Sequence, residues 1–302
     1  MKSMPRPAAP GLKKAAREAV GHLKSRLPLP GRPGGDPSPA ELAAARVEVN
    51  GLLGRVKQSR MGGRREVALL EECLVERIAR GGSFEDFAAD LRRRAEAEVA
   101  RHRALIDRLA GLAGALRPPG VRQRLRHEVI MPAGAGRLTG QEAWDAADAV
   151  MGRRVLREAE PAAPAWSLVL GVSAEAGAVL GVEGSRGLSG ARHRNVCVVD
   201  SLTVAVGLYA GVAAAAKVSA SPCAPQDLDG FAVCCGLGGT LYVGLGVGAG
   251  FVPMGIIKDP MGLPMIDWRF DGVSVAVSGG GEIQVSIGFE YSIVTNLRGQ
   301  VA

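Results

Sequence analysis

The chain is poor in the residues that most enzymes depend on. Of its 302 residues four are histidine and five are cysteine, and aromatic residues make up 4%. Cys73, Cys197, Cys223, Cys234 and Cys235 form an odd set with no C-x-x-C pair, which argues against a disulfide framework and for reduced thiols in a cytosol-like compartment. His127-Glu128 begins like a zinc-protease helix, but the residue four after His127 is Met131, so the second ligand is missing. His193, Cys197 and Asp200 lie close in sequence. On an extended strand, however, positions 193 and 197 stand about 13 Å apart at ~3.3 Å per residue, too far for a nucleophile and its base.

Sequence motifs for bound ligands are also scarce. No P-loop and no G-x-S-x-G elbow occurs. The run from Gly244 to Ala249 matches G-x-G-x-x-A, yet Gly250-Phe251-Val252-Pro253 follows where a dinucleotide site needs a helix. Asp227-Leu228-Asp229-Gly230 has neither the third oxygen ligand nor the position-twelve glutamate of a calcium loop, and reads as a turn. The sequence therefore singles out no catalytic, cofactor-binding or metal-ligating residue, and no cofactor is expected.

A secretory leader is not evident either. Lys2, Arg6, Lys13, Lys14, Arg17, Lys24 and Arg26 crowd the first thirty residues, but no apolar stretch of seven follows them, so a Sec-type signal peptide is not expected. Instead Leu12, Ala15, Ala16, Val20, Leu23 and Leu27 recur at steps of three and four between the basic residues. That spacing predicts a basic amphipathic helix, with Lys13, Lys14, Arg17, Lys24 and Arg26 placed to contact an anionic lipid surface. The expected location is cytoplasmic with peripheral membrane contact.

Charge and glycine divide the chain. Of 37 Lys+Arg and 30 Asp+Glu, residues 1–160 hold 30 and 20, and the remainder holds 7 and 10, so the net charge of +7 is +10 in one part and −3 in the other. Of 42 glycines, 24 fall after residue 160. Three regions follow: a basic segment with a Pro/Gly linker at 1–37, a helical domain at 38–160, and an antiparallel β domain at 165–302.

Helix signals in the middle region are specific. Ser38-Pro39-Ala40-Glu41 is a capping box with proline at the first helical position, and a helix should run to about residue 60. A second spans 64–80 and ends at Gly81-Gly82. A third opens at Ser83-Phe84-Glu85-Asp86 and keeps one apolar face through Leu116, giving an arm of about 33 residues, roughly 50 Å at 1.5 Å per residue. A fourth opens at Thr139-Gly140-Gln141-Glu142 and should continue to about residue 160. Arginine clusters at 92–94, at 101 and 103, and at 122, 124 and 126 are interleaved with acids at helical spacing, the pattern of a solvated face and not of nucleic-acid binding.

After Trp166 the period changes to two. Val273, Val275 and Val277 alternate with small residues, Gly279-Gly280-Gly281 follow, and Ile283 to Ile293 alternate again, which predicts a terminal hairpin. Residues 230–257 carry no charge but hold nine glycines, so they read as strands and not as a spanning helix. Eight to ten strands with little helix between them predict an α+β chain whose glycine-rich antiparallel sheet closes into a barrel or doubles into a sandwich.

Gly244, Gly246, Gly248 and Gly250 leave one strand face bare, which fits the crowded inside of a small barrel, the close approach of another element, or the lumen of a membrane-inserted hairpin. With only nine aromatics in this part and the last residues Gly299-Gln300-Val301-Ala302, an exported outer-membrane barrel does not fit. The expected function is a non-enzymatic, membrane-engaging or pore-forming-like β module on a basic helical arm. One alternative is an intracellular scaffold that self-associates through residues 83–117. Another is an enzyme or small-ligand binder at the barrel mouth using Arg194, Asp200, Asp227, Asp267 and Glu290.

Overall fold

A computed structural model describes residues 37–58, 64–152, 155–159, 166–177, 180–191, 194–207, 211–237, 245–260, 262–277 and 285–297. Its helical part holds α1 (Pro39–Gln58), α2 (Arg64–Ala79), α3 (Phe84–Arg101), α4 (Arg103–Ala115), α5 (Pro119–Arg124), a π-helical turn (Leu125–Ile130), α6 (Met131–Gly134), α7 (Gly140–Met151) and α8 (Val155–Ala159). Eight strands follow: β1 (Ser167–Gly177), β2 (Leu180–Ala191), β3 (Arg194–Gly207), β4 (Gly211–Ser221), β5 (Gly230–Leu237), β6 (Leu245–Lys258), β7 (Pro264–Val277) and β8 (Val285–Asn296). They close into one antiparallel barrel in the order β1-β2-β3-β8-β5-β6-β7-β4. The α+β class and the barrel alternative stand; the sandwich does not.

The helices begin where the capping chemistry places them. Glu41, Asp86 and Glu142 carboxylates accept from the backbone N–H of Ser38, Ser83 and Thr139, whose hydroxyls accept in return from the third helical N–H. Helix α2 ends as Gly82 N–H donates to the Arg77 carbonyl and Gly81 N–H to that of Ile78, with Gly81 at φ 89°. This is the left-handed turn that glycine supplies without strain.

Two helix lengths differ from expectation. The single arm over 83–117 is broken at His102, where φ −103° and ψ 23° divide it into α3 and α4. The bend lets both halves follow the curved wall: α3 lies on β5 and β6, and α4 on β7 and β4. His102 is held in the bend by stacking on Phe270, 4.9 Å between ring centroids and 6° between planes. Likewise, the fourth helix ends at Met151, because Gly152 takes φ 90° before the short α8.

The strand pairing also corrects the sequence reading. β7 and β8 do not form a hairpin; β7 pairs with β6 and β4, and β8 with β3 and β5. Alternation identifies both as strands, but it fixes which face is apolar and not which neighbour is chosen. The alternating run at 273–277 is the second half of a longer strand, β7, bulged at Asp271 between the Gly250–Gly272 and Phe251–Phe270 pairs.

Alternation gives the wall two unlike faces. Leu170, Leu188, Val218, Val233, Val247, Val275 and Phe289 are buried on the outside, under the helices or against neighbouring side chains. Helices and strands thus share one continuous apolar cluster, from Val49 and Leu53 in α1 to Phe289 in β8. Trp144 of α7 packs so closely over β2 that a Cβ on Gly190 would lie 2.5 Å from its ring. Glycine is required there by the approach of a side chain from the sheath.

Candidate functional site

The inner face of the barrel carries small and polar residues around a cavity of about 240 Å³. Its walls include Gly171, Gly187, Ser219, Ser274 and Gly250, and the link between β4 and β5, with its 3₁₀ turn Pro225–Asp227, borders one end. Gly246, Gly248 and Gly250 all lie on this inner face. A Cβ on Gly248 would approach the Cys235 carbonyl oxygen to 3.0 Å, and one on Gly250 would lie 3.6 Å from the Asp271 Cβ. The bare strand face is therefore the lumen wall, where eight strands leave room for side chains and, where those are small, for one small molecule. Gly244 lies outside the described residues, as do Lys13, Lys14, Arg17, Lys24 and Arg26 of the basic segment.

An ion pair crosses this lumen. Lys217 on β4 donates from Nζ to Glu290 Oε2 on β8 at 2.6 Å, and these strands stand four places apart around the eight-membered ring, on opposite walls. The Cys234 thiol on β5 donates to the same Oε2 at 3.3 Å, and Ser201 on β3 adds another hydrogen bond. Ser201 and Ser292 hydroxyls lie 2.8 Å apart beside it.

Burial and charge act in opposite directions on this pair. Burial alone would lower the Lys217 ammonium, but the Glu290 carboxylate outweighs it and holds the pKa well above the ordinary 10.5. Burial alone would raise Glu290, but Lys217 and the hydrogen bonds hold it below the ordinary 4.5. Cys234 is pushed well above 9.0, first by burial and then by the Glu290 charge. Burial also raises Cys73 to about 12, and Cys197 and Cys235 to about 11. At neutral pH the lysine is thus a cation, the glutamate an anion, and these four thiols are protonated. None is a nucleophile in that state.

Asp271 is a further carboxylate of the lumen. It sits at the β7 bulge, and burial followed by the Glu290 charge raises it above the ordinary 3.8, against smaller opposing effects of Arg269 and Lys217. Among the described residues no hydrogen-bond or ion-pair partner reaches it. Two other inner-face groups, the fully buried hydroxyls of Ser167 and Ser189, also find no partner.

Of the five polar residues singled out for a barrel-mouth site, the cavity brings together Glu290 and Asp227. Asp200 faces outward in a two-pronged pair with Arg186, at 2.5 and 2.9 Å. Asp267 is exposed on β7 away from the cavity, and the Arg194 side chain lies outside the described residues. Asp229 accepts from the Val294 N–H at 3.1 Å, so the 227–230 segment ties the β4–β5 link to β8, a turn as expected. Cys234 and Cys235 point to opposite faces, and Cys197 is buried with its thiol 3.0 Å from Asn296 Oδ1.

Lys217, Cys234 and Asp271 were missed. A usable signal existed for the pair: Lys217 is the sole charge in β4 and Glu290 the sole charge in β8.

Among the described residues no His, Cys, Asp and Glu group could hold a metal ion, and no helix is long and apolar enough to cross a membrane. The arginine clusters are engaged locally. Arg92 pairs with Glu96, Arg93 with Asp90, Arg101 with Glu98, and Arg124 with Glu128. No family model, curated protein or solved structure matches the chain at a significant level.

Proposed function

We propose that this protein is a non-enzymatic, membrane-engaging module: a barrel with the polarity of a transmembrane barrel, covered by amphipathic helices and led to an anionic surface by its basic N-terminal segment. The observation that carries the reading is the inversion of the wall, with most Leu, Val and Phe outward and Gly, Ser, Lys and Glu inward beside a few valines, Val169, Val199 and Val252. A barrel that lives only in water more usually places its branched residues inside. Strands of 8 to 14 residues also bracket the ~9–11 that a tilted strand needs to cross a bilayer. In the form described here the Lys217–Glu290 pair spans the lumen, so conduction would require those two side chains to part.

Self-association through residues 83–117 has less to work with. The apolar positions of α3 and α4, from Phe87 to Leu112, are already buried. An oligomer built there would have to use the charged outer faces.

Flotation of the full chain with phosphatidylserine-containing liposomes tests the proposal. The protein should rise with the vesicles, and Lys13→Glu with Lys14→Glu and Arg17→Glu should leave it at the bottom. Wild-type protein that stays in the soluble fraction, with a scattering mass that grows with concentration, would favour the scaffold instead.

A further inference from the structure

The lumen holds more polar groups than it pairs. The inward-facing carboxylates include Glu290 and Asp271, with Lys217 the cation between the walls, while Asp227, Asp229 and Arg269 are exposed at the mouth. Lys217 is committed to Glu290 at 2.6 Å, and Arg269 makes no ion pair within 4 Å with Asp271. Asp271 therefore faces the cavity without a direct counter-charge, and the orphaned Ser167 and Ser189 hydroxyls share the inner face with it. A largely enclosed carboxylate in that position either takes up a proton or takes a cation.

The kind of cation follows from what surrounds the cavity. A bare divalent ion is usually held by several carboxylate, imidazole or thiolate ligands converging on one point, and no group of three His, Cys, Asp or Glu side chains does so among the described residues. The space, about 240 Å³, equals roughly eight waters at ~30 Å³ each, and serines and glycines line it. These dimensions suit a short chain with one charged end and a hydrogen-bonding remainder.

We infer that the barrel lumen is a binding site for a small organic ammonium ion, its charged nitrogen against the Asp271 carboxylate and its polar remainder along the Ser219 and Ser274 hydroxyls. The site is independent of the membrane reading and stands if that reading fails. Bound ligand would supply the charge that Lys217, held by Glu290, does not. The Asp271 bulge and Gly250 opposite it make the room: any side chain at position 250 would take up space beside the carboxylate.

The test is calorimetric titration of the full chain with ethanolamine and with putrescine, using ethylene glycol and 1,4-butanediol as uncharged counterparts and sodium chloride at matched ionic strength. Saturable binding of an amine, with none from its diol or the salt, is the expected result. Asp271→Asn, which keeps the shape and removes the charge, should weaken that binding at least tenfold. In wild-type protein the carbon-13 resonance of the Asp271 carboxyl should move on saturation, a readout that does not depend on the variant folding. Absence of saturable amine binding, equal binding of the diols, or a stationary Asp271 resonance would each overturn the assignment.

Discussion

The sheath and the lumen are both buried, but they are held by different means. In the sheath, apolar side chains three and four positions apart meet the outer wall, and ion pairs such as Arg92–Glu96 lie on the water side, half exposed. Most of what the sheath needs is encoded within one or two helical turns. In the lumen, each contact joins residues far apart in sequence: 73 positions separate Lys217 from Glu290, and 56 separate Cys234 from Glu290. Apolar burial is tolerant of exchange among side chains of similar volume, whereas a charge in a confined space depends on its partner. The lumen is thus the part of the molecule where one substitution should be felt most and where a second can repair it.

Lys217→Met should give the largest effect. It leaves Glu290 ionised and unpaired inside the barrel, a loss of about 3–5 kcal/mol in the usual range for a broken buried pair. Lys217→Met combined with Glu290→Leu should recover most of that loss, because both desolvation penalties then disappear with the pair. Denaturant unfolding followed by circular dichroism measures both. A double variant no better than the single one would mean that the lumen depends on these side chains for shape and not for charge balance.

Acid titration separates Glu290 and Asp271 by sign. Glu290 lies below its ordinary 4.5 in the folded state, so its contribution is present above that value and is lost as pH falls through its lowered folded pKa. Asp271 is raised, so its ionisation opposes folding. As pH falls through its raised value towards 3.8, stability should increase. On acidification the Asp271 contribution should therefore climb while the Glu290 contribution drops. Asp271→Asn should abolish the climb and spare the drop, as measured by thermal midpoint across the acid range.

The same contrast explains which parts of the structure were legible in the sequence. Three capping boxes, the Gly81-Gly82 stop and the change of period at Trp166 are local signals, and each stands where it was read. The break at His102 was not legible, because it lacks glycine or proline; the helix bends to keep its apolar face on a curved wall that the helical sequence does not describe. The β7–β8 pairing was misread because a glycine turn between two alternating runs looks the same whether or not the runs meet. The glycine face was identified as the inside of a small barrel among other possibilities, but Lys217 and Asp271 gained meaning only when closure set β4 and β7 around the same space as β8.

The smallest effect should come from the sheath's local code. Ser83→Ala removes the hydroxyl that accepts from the Asp86 N–H at 3.1 Å and that also donates to the Asp86 carboxylate at 2.8 Å. Loss of such a cap typically costs ~1 kcal/mol, a fraction of the lumen effect. It should stay local, because Phe87, Leu91, Ala95 and Val99 still bury the same face of α3 on the wall. Hydrogen exchange should report faster exchange in the first turn of α3, with β5 and β6 unchanged. Faster exchange across those two strands would instead mean that the helix ends help to hold the barrel closed, and the division between a locally coded sheath and a long-range lumen would have to be redrawn.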